Sequence, residues 1–334
     1  MSGPGDDLLN WYQGNGERRS ETRIRDGEGI GAQPPAALTD PAGYRPSAET
    51  RDAVNVALLM GLPLLVSGEP GSGKTQLGFA VAHELGLDAP SIFVTKSTSQ
   101  ARDLFYRYDA IRHFHASQTS RDSSALAFLQ LQPLGRAIFD AMPADARLAF
   151  GGESLSSAPP KRSLVIVDEI DKAPRDFPND LLYEVDHLRF RVPELDNYES
   201  PPIDDALRPI LLITTNAEQL LPDAFLRRCA FLHLEPPRGQ ELAALIERRF
   251  KGRLVVDHPL LRDIVGLSDR LRERAQLERA PSSAELLQFV AALLAGGGRP
   301  ELGLAEQSIP VDAYLPLLAK SASDAQRLAA EIGK

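Results

Sequence analysis

The chain has 334 residues, 43% hydrophobic and 25% charged, which is the composition of a folded globular protein and excludes a disordered, collagenous or disulfide-framework chain. Acidic residues (46) outnumber basic ones (37), and the formal net charge of −9 disfavours a broad grip on nucleic acid, because that grip works by neutralising phosphates with Lys and Arg. The single cysteine, Cys229, has no intramolecular disulfide partner, so a reducing, cytoplasmic setting is expected.

The start, Met1 to Asp7, carries acid where a secretory signal carries base, and no apolar run follows it. The longest apolar stretch, 57–66, is interrupted by Gly61 and Pro63, so no membrane span is expected. The first fifty residues hold eight Gly and five Pro without helical periodicity, so 1–40 read as an extended arm. Its aromatic pair, Trp11-Tyr12, is expected to dock on the domain body or on a neighbour.

From residue 41 to 235 helices alternate with short apolar runs. Ala48 to Met60 reads as a helix, followed by a buried strand at 63–67, a helix at 76–85 and a second strand at 91–95. Residues 163–168 are apolar up to Asp168, as a central parallel strand covered on both faces should be. Further strands are expected at 209–215 and 230–234. This alternation predicts a doubly wound α/β sheet. Two stretches exceed a simple crossover and read as inserts, near 104–160 and 186–207. The first contains a glycine- and serine-rich loop at 151–160, and the second a short β-like run at 189–192. Beyond Glu235-Pro-Pro237 the strands stop, and 236–334 read as an α-helical domain.

Four pieces carry chemistry. Gly68-Glu69-Pro70-Gly71-Ser72-Gly73-Lys74-Thr75, followed by Gln76, fits G-x-x-x-x-G-K-[ST] between a strand and a helix. Its backbone N–H groups would cradle phosphates at a helix N-terminus, Lys74 would reach the β- and γ-phosphates, and Thr75 would offer its hydroxyl to Mg²⁺. The strand ending Asp168-Glu169 puts two carboxylates at the carboxyl edge of the sheet, where α/β ligand sites lie. Asp168 would join the Mg²⁺ shell and Glu169 would orient and polarise the attacking water. Asn216 ends another strand, either to hold that water in line or as a turn residue. The segment 221–229 carries Arg227 and Arg228, which cannot both point the same way. Arg228 is the candidate arginine finger for a neighbouring site, with Arg227 pairing locally or exchanging roles; a surface ion pair is the plain alternative.

In this order and spacing the pieces resemble the AAA+ ATPases. The phosphate loop after Gly61-Leu-Pro-Leu-Leu65, the run Asp168-Glu-Ile-Asp-Lys-Ala-Pro174, the segment Leu221-Pro-Asp-Ala-Phe-Leu-Arg-Arg228 and Pro133-Leu-Gly-Arg-Ala137 are similar to the MoxR-like group within them. The resemblance spans about 43–290. It implies a P-loop AAA+ core with a five-stranded parallel sheet of order 5-1-4-3-2 and a small C-terminal helical lid. It further implies ATP and Mg²⁺ as cofactors and a homo-oligomeric, hexameric ring. By the same pattern Lys74, Thr75, Asp168, Glu169, Asn216 and Arg228 are the phosphate lysine, metal ligands, water activator, first sensor and finger. Phe105, Tyr106, Tyr108, Phe114 and Phe190 fall in the inserts as candidate grip residues for a substrate, with buried packing expected for at least half of them.

The chain departs from that pattern at Ala284, where many relatives place a lid arginine. The run 270–279 mixes charges and reads as a solvated helix face. His113 and His115 lack a third ligand at metal spacing, and Tyr44 is a candidate for stacking near the base. The implied function is Mg-dependent ATP hydrolysis that remodels or activates a protein client, in this group a protein with a von Willebrand factor A-type domain. The alternative is a nucleotide-controlled switch or scaffold in a bacterial signalling or defence assembly. A nucleic-acid motor is disfavoured by the charge and by the lack of an Asn-Lys-x-Asp guanine motif.

Overall fold

A computed structural model describes residues 40–118, 124–151, 159–250, 252–273 and 277–332. Trp11-Tyr12 and most of the 151–160 loop lie outside the described residues. The chain divides into two compact units: residues 44–68 with 74–234, and residues 235–332 with 40–43 and 69–73.

The larger unit opens with α1 (Ala48–Met60), whose first turn is capped by Ser47 accepting from the Thr50 amide and whose end is closed by Gly61 in the left-handed region. β1 (Leu64–Gly68), α2 (Lys74–Glu84) and β2 (Ser91–Val94) follow. The first insert folds as β3 (Tyr106–Tyr108), α3 (Ala110–Gln118), β4 (Leu129–Leu131), α4 (Pro133–Ala141) and α5 (Ala144–Gly151). Next come β5 (Leu164–Asp168), α6 (Phe177–His187), the hairpin β6 (Arg191–Val192) and β7 (Tyr198–Glu199), β8 (Ile210–Thr215), α7 (Asp223–Leu226) and β9 (Ala230–Leu234). Each apolar run read as a strand is one, displaced by no more than a residue. The helix after the phosphate loop starts at Lys74, two residues before the expected Gln76, because the end of the motif is itself the first helical turn.

Five strands form one parallel sheet in the order β2-β5-β8-β1-β9. Counted among these five alone, that is 5-1-4-3-2 from the opposite edge, the order that the family resemblance implies. The register aligns Val94 with Asp168, Val167 with Ile213 and Val66 with Thr214. Parallel pairing therefore delivers Gly68, Asp168 and Thr215 to one edge. Val66, Val165, Ile166, Val167 and Ile213 are fully buried, which accounts for the apolar runs 64–66, 164–167 and 210–213, with polar residues confined to the strands' carboxyl ends.

The inserts contribute to the core more than they extend from it. Phe105, Tyr106 and Phe190 are buried, with Phe105 and Phe190 stacked at 6.2 Å, so three of the five candidate grip aromatics are packing residues. Tyr108 is half-buried and bonds His113 Nδ1 at 2.5 Å; Phe114, on α3, is exposed. Gly135 shows how tightly α4 is held: a Cβ there would lie 1.9 Å from the Phe105 carbonyl oxygen, a backbone atom that cannot step aside. Gly135→Ala is expected to lower stability by about 3 kcal/mol, the upper range for overpacking, read as a drop in the thermal midpoint.

The smaller unit consists of α8 (Gly239–Phe250), α9 (Pro259–Glu273), α10 (Ser283–Ala295), two short 3₁₀ segments and α11 (Ala322–Ile332). Leu242, Ile246, Ile264, Leu267, Phe289, Val290 and Leu293 are fully buried in its core. Ser282 caps α10, accepting from the Glu285 amide while Glu285 bonds back to Ser282. The run 270–279 is not simply a solvated face, because the Arg272 side chain is only 9% exposed. It reaches the Pro281 carbonyl at 3.2 Å and Glu69 at 3.2 Å, so its guanidinium is an internal tie. Among the described residues no helix is long and apolar enough to cross a membrane.

Candidate functional site

Gly68 ends β1, and the next five residues turn back toward α2. Gly71 sits at φ +79°, the left-handed region that side chains resist, and an added Cβ would meet Ser282 at 2.6 Å. Arg272 holds the neighbouring Glu69 at 3.2 Å.

Lys74 follows on the first turn of α2 and is almost fully buried. Its ammonium donates to the Gly68 carbonyl at 2.8 Å and to Asn216 Oδ1 at 2.8 Å. A buried ammonium is tolerable only when its donors are engaged, and these contacts fix it at the sheet edge. Thr75 turns its hydroxyl to Asp168 Oδ1 at 3.2 Å. That pairing is a set of two hard oxygen donors, the type that suits Mg²⁺, an ion which commonly takes one or two protein ligands and completes its shell with water and phosphate. Among the described residues there is no group of three or more His, Cys, Asp or Glu that could hold a metal, His113 and His115 included.

Glu169 directly follows Asp168 with φ 57°, the left-handed region, at a non-glycine residue. That conformation turns its carboxylate away from the direction β5 would give it. Thr214, opposite on β8, holds the turn in place: its Oγ1 accepts from the Glu169 amide at 2.9 Å and donates to Asp168 Oδ1 at 2.7 Å. The Glu169 carboxylate accepts from Lys172 Nζ at 2.6 Å and from Asn216 Nδ2 at 3.3 Å. The Lys172 hydrogen bond draws the Glu169 carboxyl below its ordinary value; partial burial opposes this, while Asn216 and Lys74 add to it.

Asn216 is therefore the joint of the site. One end of its amide accepts from Lys74 and the other donates to Glu169, so a single side chain spans the lysine and the carboxylate. The sequence-derived residues Lys74, Thr75, Asp168, Glu169 and Asn216 all come together. Arg228 does not join them; it is exposed after α7 and pairs with Asp186 at 3.5 Å. Arg227 is exposed as well. Cys229 is half-buried beside them, and burial pushes its thiol up to about 12. Tyr44 packs against the cluster that includes Leu77 and Val66. The sequence reading gave no role to Thr214, Asp171 or Lys172, although Asp171 and Lys172 lie inside the run 168–174 that it singled out.

A family described as AAA domain (dynein-related subfamily) matches residues 63–250. The chain belongs to this family. Its αβ domain is accordingly an ATPase domain, and ATP is the nucleotide that membership implies. Similar solved structures include the RuvB Holliday junction branch migration motor of Thermotoga maritima, at 16% identity and a TM-score of 0.40, covering 80% of this chain and 65% of that one. Two point variants of RuvB from that organism match at 17% identity, with TM-scores of 0.41 and 0.40, covering 80% of this chain and 66% and 65% of theirs. The chain thus spans just under two thirds of their length. No curated protein matches it.

Proposed function

We propose that this AAA domain hydrolyses ATP with Mg²⁺ at the site formed by Lys74, Thr75, Asp168, Glu169 and Asn216. The observation that carries the reading is the Asn216 amide bridging Lys74 to Glu169, which sets a phosphate-binding cation and a general base at a fixed separation. Backbone N–H groups of residues 69–73 and the Lys74 ammonium bind the triphosphate. Thr75 and Asp168 hold Mg²⁺, which neutralises charge on the β- and γ-phosphates when bound. Glu169, kept ionised by Lys172, takes the proton of the attacking water, and Asn216 holds that water in line with the γ-phosphate.

The energy of this cycle drives remodelling or activation of a protein client by an oligomeric ring, hexameric in the MoxR-like pattern. A client with a von Willebrand factor A-type domain fits the resemblance. Head-to-tail repetition of one contact would carry Arg228 into the neighbouring subunit's site, where it exchanges Asp186 for transition-state charge. The exposure of Arg228 and the modest value of a surface ion pair support this, since little stability is lost on release.

A mixing experiment tests ring and finger together. Arg228→Ala and Glu169→Gln should each lower turnover by about 10³-fold. Mixed in equal amounts, they should recover measurable activity, because about a quarter of random interfaces then pair an intact Arg228 with an intact Glu169. Full activity of Arg228→Ala alone, or no recovery on mixing while light scattering shows co-assembly, would refute a finger acting in trans.

A further inference from the structure

We infer that Asp171 is the positioning residue that sets Asn216 between Lys74 and Glu169; this rests on the reading of Asn216 given above. Asp171 lies on the one-turn 3₁₀ segment Ile170–Lys172 that Glu169 caps, and it is 2% exposed. A carboxylate is a costly group to bury unless hydrogen bonds replace its water. Here Oδ2 accepts from two backbone amides of a single loop, Asn216 at 3.1 Å and Glu218 at 3.1 Å. Its other oxygen, Oδ1, is buried and has no hydrogen-bond partner among the described residues. The carboxylate is therefore committed to that loop and to nothing else in hydrogen-bonding terms.

The loop needs such a hold. Ala217, between the two bonded residues, has φ 59°, a left-handed conformation that is strained for a non-glycine residue. Conformations of this kind persist only where surrounding contacts over-determine them. Three contacts do so: the two amides on Asp171 and the Ala217 amide on Thr215 Oγ1 at 3.0 Å. Glu169, two residues before Asp171, is itself left-handed at φ 57°. Asp171 thus joins two strained turns, one by covalent bonds and the other by hydrogen bonds, and so sets the separation of the carboxylate from the Asn216 amide. It touches neither of the reacting groups.

The test compares Asp171→Ala and Asp171→Leu, which remove the acceptor with and without a cavity, with Asp171→Asn, which keeps one acceptor oxygen. Steady-state ATP turnover, ATP affinity and deuterium uptake of residues 215–219 are measured on the full chain. The acceptor-less variants should lose about 10- to 100-fold in kcat, hold ATP affinity within about threefold and exchange faster at 215–219. Asp171→Asn should restore both kcat and protection. Asp171→Ala combined with Asn216→Ala should be no slower than Asn216→Ala alone, because both lesions remove the same placement.

Unchanged exchange at 215–219 in a folded acceptor-less variant would overturn the inference. So would equal losses in affinity and kcat, or a double variant slower by the product of the single effects. If neither acceptor-less variant folds, failure of Asp171→Asn to preserve kcat and protection overturns it. Absence of turnover in the parent chain would sink the hydrolase reading alone, since the exchange measurement does not depend on turnover.

Discussion

Glu169→Gln should bind ATP about as well as the parent chain and hydrolyse it 10²- to 10⁴-fold more slowly, the range for removal of a general base. The substitution conserves shape and leaves an oxygen for the Asn216 amide, so the geometry around Lys74 stays intact. What it removes is the negative charge that Lys172 stabilises. The pH dependence follows from the direction of that effect. Because the Glu169 carboxyl titrates below its ordinary value, the base form persists as pH falls, and turnover should keep its plateau until below the usual glutamate range. The same shift means that the group contributes stability above its unfolded-state value and loses it as pH falls through the folded-state one. A rate profile across acid pH, with ATP affinity measured in parallel, checks both parts. A Gln variant with near-parental turnover would remove Glu169 from the mechanism.

Lys74→Ala should act on binding, where Glu169→Gln acts on rate. The ammonium is buried and its direction is set by the Gly68 carbonyl and Asn216. A charge-assisted contact to phosphate from such a position is worth roughly 1.5–3 kcal/mol. ATP affinity should therefore fall about 10- to 150-fold, readable by nucleotide titration. Lys74→Arg should not rescue it, because a planar guanidinium cannot replace a compact point charge in a socket built around a carbonyl and an amide. Unaltered affinity in Lys74→Ala would place the phosphates away from this loop.

The elements of the sheet were legible because parallel strands buried on both faces have to be continuous apolar runs, and 164–167 and 210–213 contain nothing else. The phosphate loop was legible for another reason: its chemistry is contiguous, so one window of sequence contains the whole device. Thr214 and Asp171 were not. Their partners lie 45–47 residues away and meet them only through the sheet register. The left-handed turns at Glu169 and Ala217 also left no signal, since that conformation is ordinarily announced by Gly or Asn. In the inserts, Phe105, Tyr106 and Phe190 are chemically identical to grip residues, and only their burial distinguishes them. Arg272 misled for a related reason: alternating charges describe an exposed face well until one long side chain reaches a carboxylate and a carbonyl instead of water.

The state of Cys229 has a practical consequence for watching this domain at work. Burial pushes this thiol well above its ordinary range, so little of it is thiolate at neutral pH, and the thiolate is the species that alkylates. As the chain's sole cysteine, it leaves a nearly silent background. A cysteine introduced at an exposed position, such as Phe114 on α3, would take a maleimide dye selectively without a cysteine-free parent having to be made. Fluorescence could then follow the insert through a nucleotide cycle in a chain otherwise unaltered.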